Sequence, residues 1–405
     1  MRRVHLFFVF FVSVVIAPAS VMADTILIQH ATVHTLGHEG TLVDASIVVK
    51  DGYIAAVGKT VSVPKNARVI DAKGLIVTPG IMNANTYLGL SEIKQSLDSN
   101  DHSGKDSSLG ATFNVSYGLN YRSDVILENR RHGLTHALSS PTDSNDLFIG
   151  SGVFISLTGD KGSFIQPGPM VINLEAAGNR NAAWGRLNRV FAELKHYAKT
   201  GKIEKTYLPA FEMDALLPVI KGEQFVLLTV KGVPDIRQAI AMKKAYGFKM
   251  ALVEADEAWL VAKELKEADI AVLVEPRDTL PRTFADLHSS GRNAAILVEA
   301  GVQTIIAPTG TGRNHQAHHV LEAAGVAVRY GLPWEEALKA ITKVPAQLFG
   351  LKEYGAIERG KVATLVIWDG DPLEVTTNPT HVFVLGKAQP LVSHRTALRD
   401  KYLKP

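Results

Sequence analysis

The chain has 405 residues, of which 46 % are hydrophobic and 20 % charged, with 43 basic and 40 acidic side chains. That length allows one large barrel or two to three average domains, and the near-even charge excludes a nucleic-acid or membrane-surface binder built on basic attraction. Cysteine is absent, which removes disulfides, zinc–thiolate sites and cysteine nucleophiles together.

Residues 1–23 read as a secretory signal peptide. Arg2 and Arg3 form the charged start, Leu6 to Ile16 the short apolar core, and Val21 and Ala23 the small residues of a cleavage site before Asp24. The rival reading is a membrane anchor, but the core falls short of the ~20 residues a span needs. The expectation is therefore a periplasmic protein, exported unfolded, with no membrane association after cleavage. Without Arg2 and Arg3 the remainder carries 41 basic against 40 acidic residues.

From residue 24 to 75 the chain reads as short strands: Thr25–Ile28, Ala31–Thr35, Ser46–Val49, Tyr53–Gly58 and Val69–Gly74. Asp51-Gly52 between two alternating apolar runs is a hairpin signal. The far end mirrors this, with Leu365–Trp368, the turn Asp369-Gly370-Asp371-Pro372, and His381–Lys387. Neither end is stable alone, so residues 24–75 and 350–405 are expected to pair into one small composite β-sandwich.

Residues 76–349 lie between them, near the ~250 of a (β/α)8 barrel. Candidate strands are Leu75–Asn83, Thr135–Ser140, Val153–Leu157, Met170–Leu174, Phe225–Val230, Lys249–Val253, Ile270–Val274 and Gln303–Ala307. Helical spacing marks Ala182–Tyr197, Phe211–Ile220, Asp235–Tyr246, Glu257–Lys266, Asn293–Ala300, His318–Tyr330 and Trp334–Ile341. Alternating strand and helix predicts an α/β fold with a parallel, closed sheet: a TIM barrel. About a dozen residues separate the third and fourth strands, too few for a crossover helix, so one of the two is expected to be misplaced. Ser91 to Arg122 is polar and long for a loop. It reads equally as a lid over the barrel mouth or as a disordered insertion.

Within the first barrel strand, Pro79-Gly80-Ile81-Met82 leads into Asn83, Asn85 and Tyr87, then Leu88-Gly89. Spacing of two puts the three polar side chains on one face of an extended segment. This stretch resembles the amidohydrolase superfamily, in particular its imidazolonepropionase-related branch. Gly355–Lys361 followed by Trp368–Pro372 is similar to that family's C-terminal signature. The resemblance implies the barrel with a composite sandwich, and hydrolysis of carbon–nitrogen bonds other than peptide bonds. It also implies one or two divalent metals, zinc being the family expectation.

The family's ligands are His-x-His after strand one, a carboxylated Lys or a Glu after strand four, His after strands five and six, and Asp after strand eight. Here those places hold Asn85 and Tyr87, then Glu175, Lys231, Glu254 and Thr309. A neutral amide is a poor metal donor and an ammonium repels a divalent cation. No metal site and no cofactor is therefore predicted. His315 and His318 share a helical face by their spacing of three, but no acidic partner lies nearby in sequence to orient them.

What remains is Lys231 with Glu254 as candidate catalytic residues, since a lysine in a dry pocket can act as base or nucleophile. A salt bridge filling the place of a metal is the alternative. Gly310-Thr311-Gly312-Arg313 could cradle an anion. Asn85, Tyr87, Thr309, Arg313 and His315 are accordingly the candidate substrate-binding residues. Two functions are carried forward: a hydrolase with a rebuilt, metal-poor site, and a non-catalytic barrel that binds a small ligand. As partners, a small-molecule substrate, a homo-oligomer or an active relative are expected, and nucleic acid is not.

Overall fold

A computed structural model describes residues 25–403 apart from 94–95, 105–107, 143–145, 175–177, 204–205 and 282. The leader read at 1–23 and Glu175 lie outside the described residues.

The N-terminal strands are β1 (Thr25–His34), β2 (Thr41–Lys50), β3 (Tyr53–Gly58), β4 (Arg68–Asp71) and β5 (Ile76–Pro79). Asp51 and Gly52 turn β2 into β3 with φ of 52° and 85°, the double left-handed geometry that suits Asp-Gly and matches strand twist. The barrel region then runs β6 (Ile81–Thr86), α1 (Asp124–Arg131), β7 (Leu134–Ser139), β8 (Phe148–Ser156), β9 (Phe164–Asn173), α2 (Arg180–Thr200) and α3 (Ala210–Ile220). It continues through β10 (Val226–Thr229), α4 (Val233–Tyr246), β11 (Met250–Val253), α5 (Ala262–Glu267), β12 (Ala271–Val274), α6 (Asn293–Glu299) and β13 (Thr304–Ile306). After α7 (Val320–Arg329), α8 (Trp334–Ala340) and α9 (Lys343–Leu348) come β14 (Leu365–Trp368), β15 (Pro379–Val384), β16 (Lys387–Gln389) and α10 (His394–Leu403).

Strands from both ends of the chain form one sheet, in which β14 pairs antiparallel with β5 and β5 pairs with β1. Strand β5 then passes through Gly80 straight into β6. A Cβ on Gly80 would sit 2.4 Å from Thr135 Oγ1 and 2.5 Å from Thr364 Cγ2, so only glycine lets the chain cross there between the composite sheet and the barrel.

The second sheet holds eight strands in the order β13-β12-β11-β10-β9-β8-β7-β6 and closes nearly into a barrel. Its short apolar strands are buried on both faces, as parallel strands under helices must be. One strand departs from the all-parallel expectation: β8 runs antiparallel to both β7 and β9. Neither of the two middle strands is misplaced. They form a hairpin, which needs no crossover helix, so the short spacing is satisfied by reversing one strand.

The polar insertion packs against the barrel. Ala111 and Val115 are buried, the Ala111 N–H donates to Glu212 Oε2 at 2.9 Å, and Ser151 N–H donates to Phe113 O at 2.7 Å. Among the described residues no helix is long and apolar enough to cross a membrane.

Candidate functional site

Parallel strands that end abruptly in charged residues deliver those residues to the carboxyl-end mouth of a barrel. Lys231 lies two residues past β10, Glu254 and Glu275 directly follow β11 and β12, and Thr309 lies three past β13. All four line one cleft of about 150 Å³, together with Asp256, Asp278, Leu280 and Asp286. The two candidate catalytic residues and Thr309 are thus brought together. Glu254 has φ of 60°, a left-handed conformation that costs a non-glycine residue energy and clusters at functional sites.

Glu275, which also lines the cleft, was not singled out from the sequence. Its carboxylate is buried and accepts two bonds from the Arg277 fork, Nε to Oε1 at 3.0 Å and Nη2 to Oε2 at 2.7 Å. Thr309 N–H donates to Oε2 at 2.9 Å. The bond to Glu275 holds the Arg277 guanidinium pKa up against the opposing effect of burial. The signal was available: a charged residue ends the apolar run Ile270–Val274, the same pattern that marks Lys231 and Glu254. Five carboxylates and one ammonium face the cleft, so its field favours a cationic group on whatever enters.

Asn85 and Tyr87 do not line this cleft. Asn85 is buried, and its Nδ2 donates to Pro308 O at 3.3 Å. Asn83 is fully buried, donates to Gly312 O and Ala317 O at 3.2 and 2.9 Å, and accepts the Asn85 N–H at 3.0 Å. Carbonyl oxygens can only accept, so these partners fix which way both amides face. Tyr87 packs against His102 in a tilted ring pair with centroids 4.2 Å apart, and Arg313 Cζ lies 5.9 Å from its ring. Burial pushes the Tyr87 phenol up in pKa, with the Arg313 charge opposing.

His315 sits apart, its Nε2 donating to Glu92 O at 3.1 Å beside a second cavity lined by Glu92, Glu128 and Arg395. His318 meets His132 rather than His315, the two rings stacked 4.1 Å apart, and its Nδ1 donates to Asn129 Oδ1 at 2.8 Å. His319 does have an acidic partner, Glu322 Oε2 at 3.2 Å.

Among the described residues, the strand-end carboxylates of the cleft are not joined by enough neutral or anionic donors to form a set that suits a divalent metal. Asn83 and Asn85 aim their amino groups at backbone carbonyls, Lys231 carries an ammonium, and Glu275 is taken by Arg277. Among the described residues no group of three His, Asp or Glu side chains is placed to hold such an ion.

Residues 234–390 match the family model described as Amidohydrolase family. The chain is 29 % identical over 214 residues to Amidohydrolase tasK of Hapsidospora irregularis, covering 49 % of this chain and 21 % of that protein. It is 40 % identical over 53 residues to a dihydroorotase of Bacillus cytotoxicus, covering 13 % of this chain and 12 % of that one. With an allantoinase of Escherichia coli O1:K1 the figures are 42 % over 67 residues, 16 % and 14 %. The chain therefore spans about a fifth or less of the curated relatives it matches. In fold it is similar to an amidohydrolase from Thermotoga maritima MSB8, with a TM-score of 0.79 at 23 % identity over 90 % of this chain and 99 % of that one. Molinate hydrolase gives 0.57 at 17 % identity, over 91 % and 95 %.

Proposed function

We propose that this member of the amidohydrolase superfamily hydrolyses a carbon–nitrogen bond in a small cyclic or acylated amide bearing a cationic group. The observation that carries this reading is the convergence of Lys231, Glu254, Glu275 and Thr309 in one cleft at the strand ends. The Glu254 carboxylate takes a proton from water as the water oxygen attacks the carbonyl carbon. The Lys231 ammonium gives a proton to the leaving nitrogen as the carbon–nitrogen bond breaks and is recharged with the proton Glu254 took, so that water is added across the broken bond. Glu275, held by Arg277 and Thr309, keeps the negative field of the cleft fixed.

The chemistry of the donors supports a site that works without the zinc of the family, within the branch related to imidazolonepropionases. The leader sequence supports export to the periplasm. Residues 24–75 and 350–405 form the composite sandwich of this reading and residues 76–349 the barrel. A homo-oligomer or pairing with an active relative remains part of the proposal.

The Asn83 and Asn85 amides, spent on backbone carbonyls, favour a second reading: a barrel that binds a small ligand without turning it over. A panel of cyclic amides, acylated amines and dipeptides, cationic and anionic, tests both. Turnover of cationic members that survives chelation supports the hydrolase. Saturable binding without turnover supports the silent barrel, and neither result would sink both.

A further inference from the structure

We infer that Asn85 is a positioning residue for the cleft, acting through the peptide group between Pro308 and Thr309. This rests on the reading of the cleft as the functional site. The carbonyl of that peptide group accepts from Asn85 Nδ2, and its N–H donates to Glu275 Oε2. A peptide group is planar and rigid, so bonds at both ends fix its plane as well as its position. The two bonds also polarise each other across the amide. Strand one, which does not touch the cleft, thereby sets where Thr309 stands and which way its N–H points.

The surroundings make this a designed support rather than a stray contact. Asn83 Oδ1 holds the Asn85 backbone N–H, and Asn83 Nδ2 reaches two further carbonyls of the same loop, those of Gly312 and Ala317. The loop after β13 is thus gripped at residues 308, 312 and 317 from one strand. No ladder joins β13 to β6 among the described residues, so these amides bridge the seam of the barrel. At the position where the resemblance places a metal-binding histidine, strand one is tied to strand eight by a hydrogen-bond donor instead. Thr309 Oγ1 also donates to Asp278 Oδ2 at 3.3 Å, so a shift of this one peptide group moves two acceptors of the cleft.

Amide hydrogen exchange followed by NMR, together with steady-state kinetics, tests the relay. In the unaltered protein the Thr309 amide should exchange as slowly as strand amides, although it lies in a loop. Asn85→Asp keeps the shape and removes the donor. It should speed exchange at Thr309 by about tenfold or more while Leu252 and Val272 stay protected. It should also lower kcat by about tenfold with KM nearly unchanged. The relay is overturned if Thr309 exchanges freely in the unaltered protein. It is equally overturned if Asn85→Asp changes all amides alike and activity merely follows the folded fraction. Should Asn85→Asp fail to fold, Asn85→Ser and the exchange of the unaltered chain decide the matter. Absence of turnover in the unaltered protein would count against the hydrolase reading alone, since the exchange result stands without it.

Discussion

Asn85 and Glu275 hold opposite ends of one peptide group, the first donating to Pro308 O and the second accepting from Thr309 N–H. Strand one and strand seven are joined in this way across the loop that follows strand eight. The barrel seam therefore depends on two side-chain amides, and the neighbouring Asn83 donates two of their three bonds to the loop. Asn83→Ala removes two donated bonds and one accepted bond, leaving the carbonyls of Gly312 and Ala317 without that donor. A loss of about 2–4 kcal/mol in unfolding free energy is expected, measured by urea titration. A change under about 0.5 kcal/mol would mean the seam is closed by other contacts.

Lys231→Ala should lower turnover by about a hundredfold or more while leaving the circular dichroism spectrum intact. Lys231→Arg should not restore it, because a guanidinium does not release its proton. Full activity in either variant would remove Lys231 from the chemistry.

Two histidines, His136 buried and His318 half-buried, make stability depend on pH. Burial drives His136 down to about 3, and burial with repulsion from His132 and His319 drives His318 down to about 3. Thr135 Oγ1 lies 2.9 Å from Ile81 O and can donate there, so it accepts from His136 Nδ1, and the buried ring is held neutral. Below the ordinary histidine value of about 6.5 the unfolded chain binds protons that the folded one refuses. The stabilisation is therefore whole above about pH 6.5 and fades as pH falls toward 3, on the order of 1 kcal/mol per pH unit for each ring. Urea midpoints between pH 7 and 4 measure this slope, and His136→Phe should flatten it. A midpoint indifferent to pH over that window would contradict the assignment.

Packing between the composite sheet and the barrel rests on Gly133, whose φ is 94° and whose added Cβ would lie 2.2 Å from Trp368 Cη2. Trp368 is buried and donates from Nε1 to Thr78 Oγ1 at 2.9 Å, so it has little room to yield. Gly133→Ala should cost about 2–4 kcal/mol, through backbone strain and overpacking together. A melting temperature within a degree or two of the unaltered protein would show that the ring moves aside.

Much of the architecture was legible because apolar runs such as Val226–Thr229 and Met250–Val253 end in turns and alternate with helical spacing. Strand direction was not legible, since an apolar run reads the same either way, and only the short link between β8 and β9 hinted at the reversal. Lys231, Glu254 and Thr309 could be placed because each ends a strand. Glu275 could have been found by the same rule. The task of Asn83 and Asn85 could not, because their partners lie 223 to 234 residues further along the chain. Such partners are backbone carbonyls, which leave no mark on the sequence.

The most direct measurement of the central claim is the metal content of protein purified without chelators, with turnover assayed before and after chelation. Strand-one amides occupied by carbonyls and a lysine at the end of strand five predict well under about 0.1 zinc per chain and turnover unaffected by chelation. About one tightly held zinc per chain, with activity that disappears when it is removed and returns when it is restored, would contradict the account.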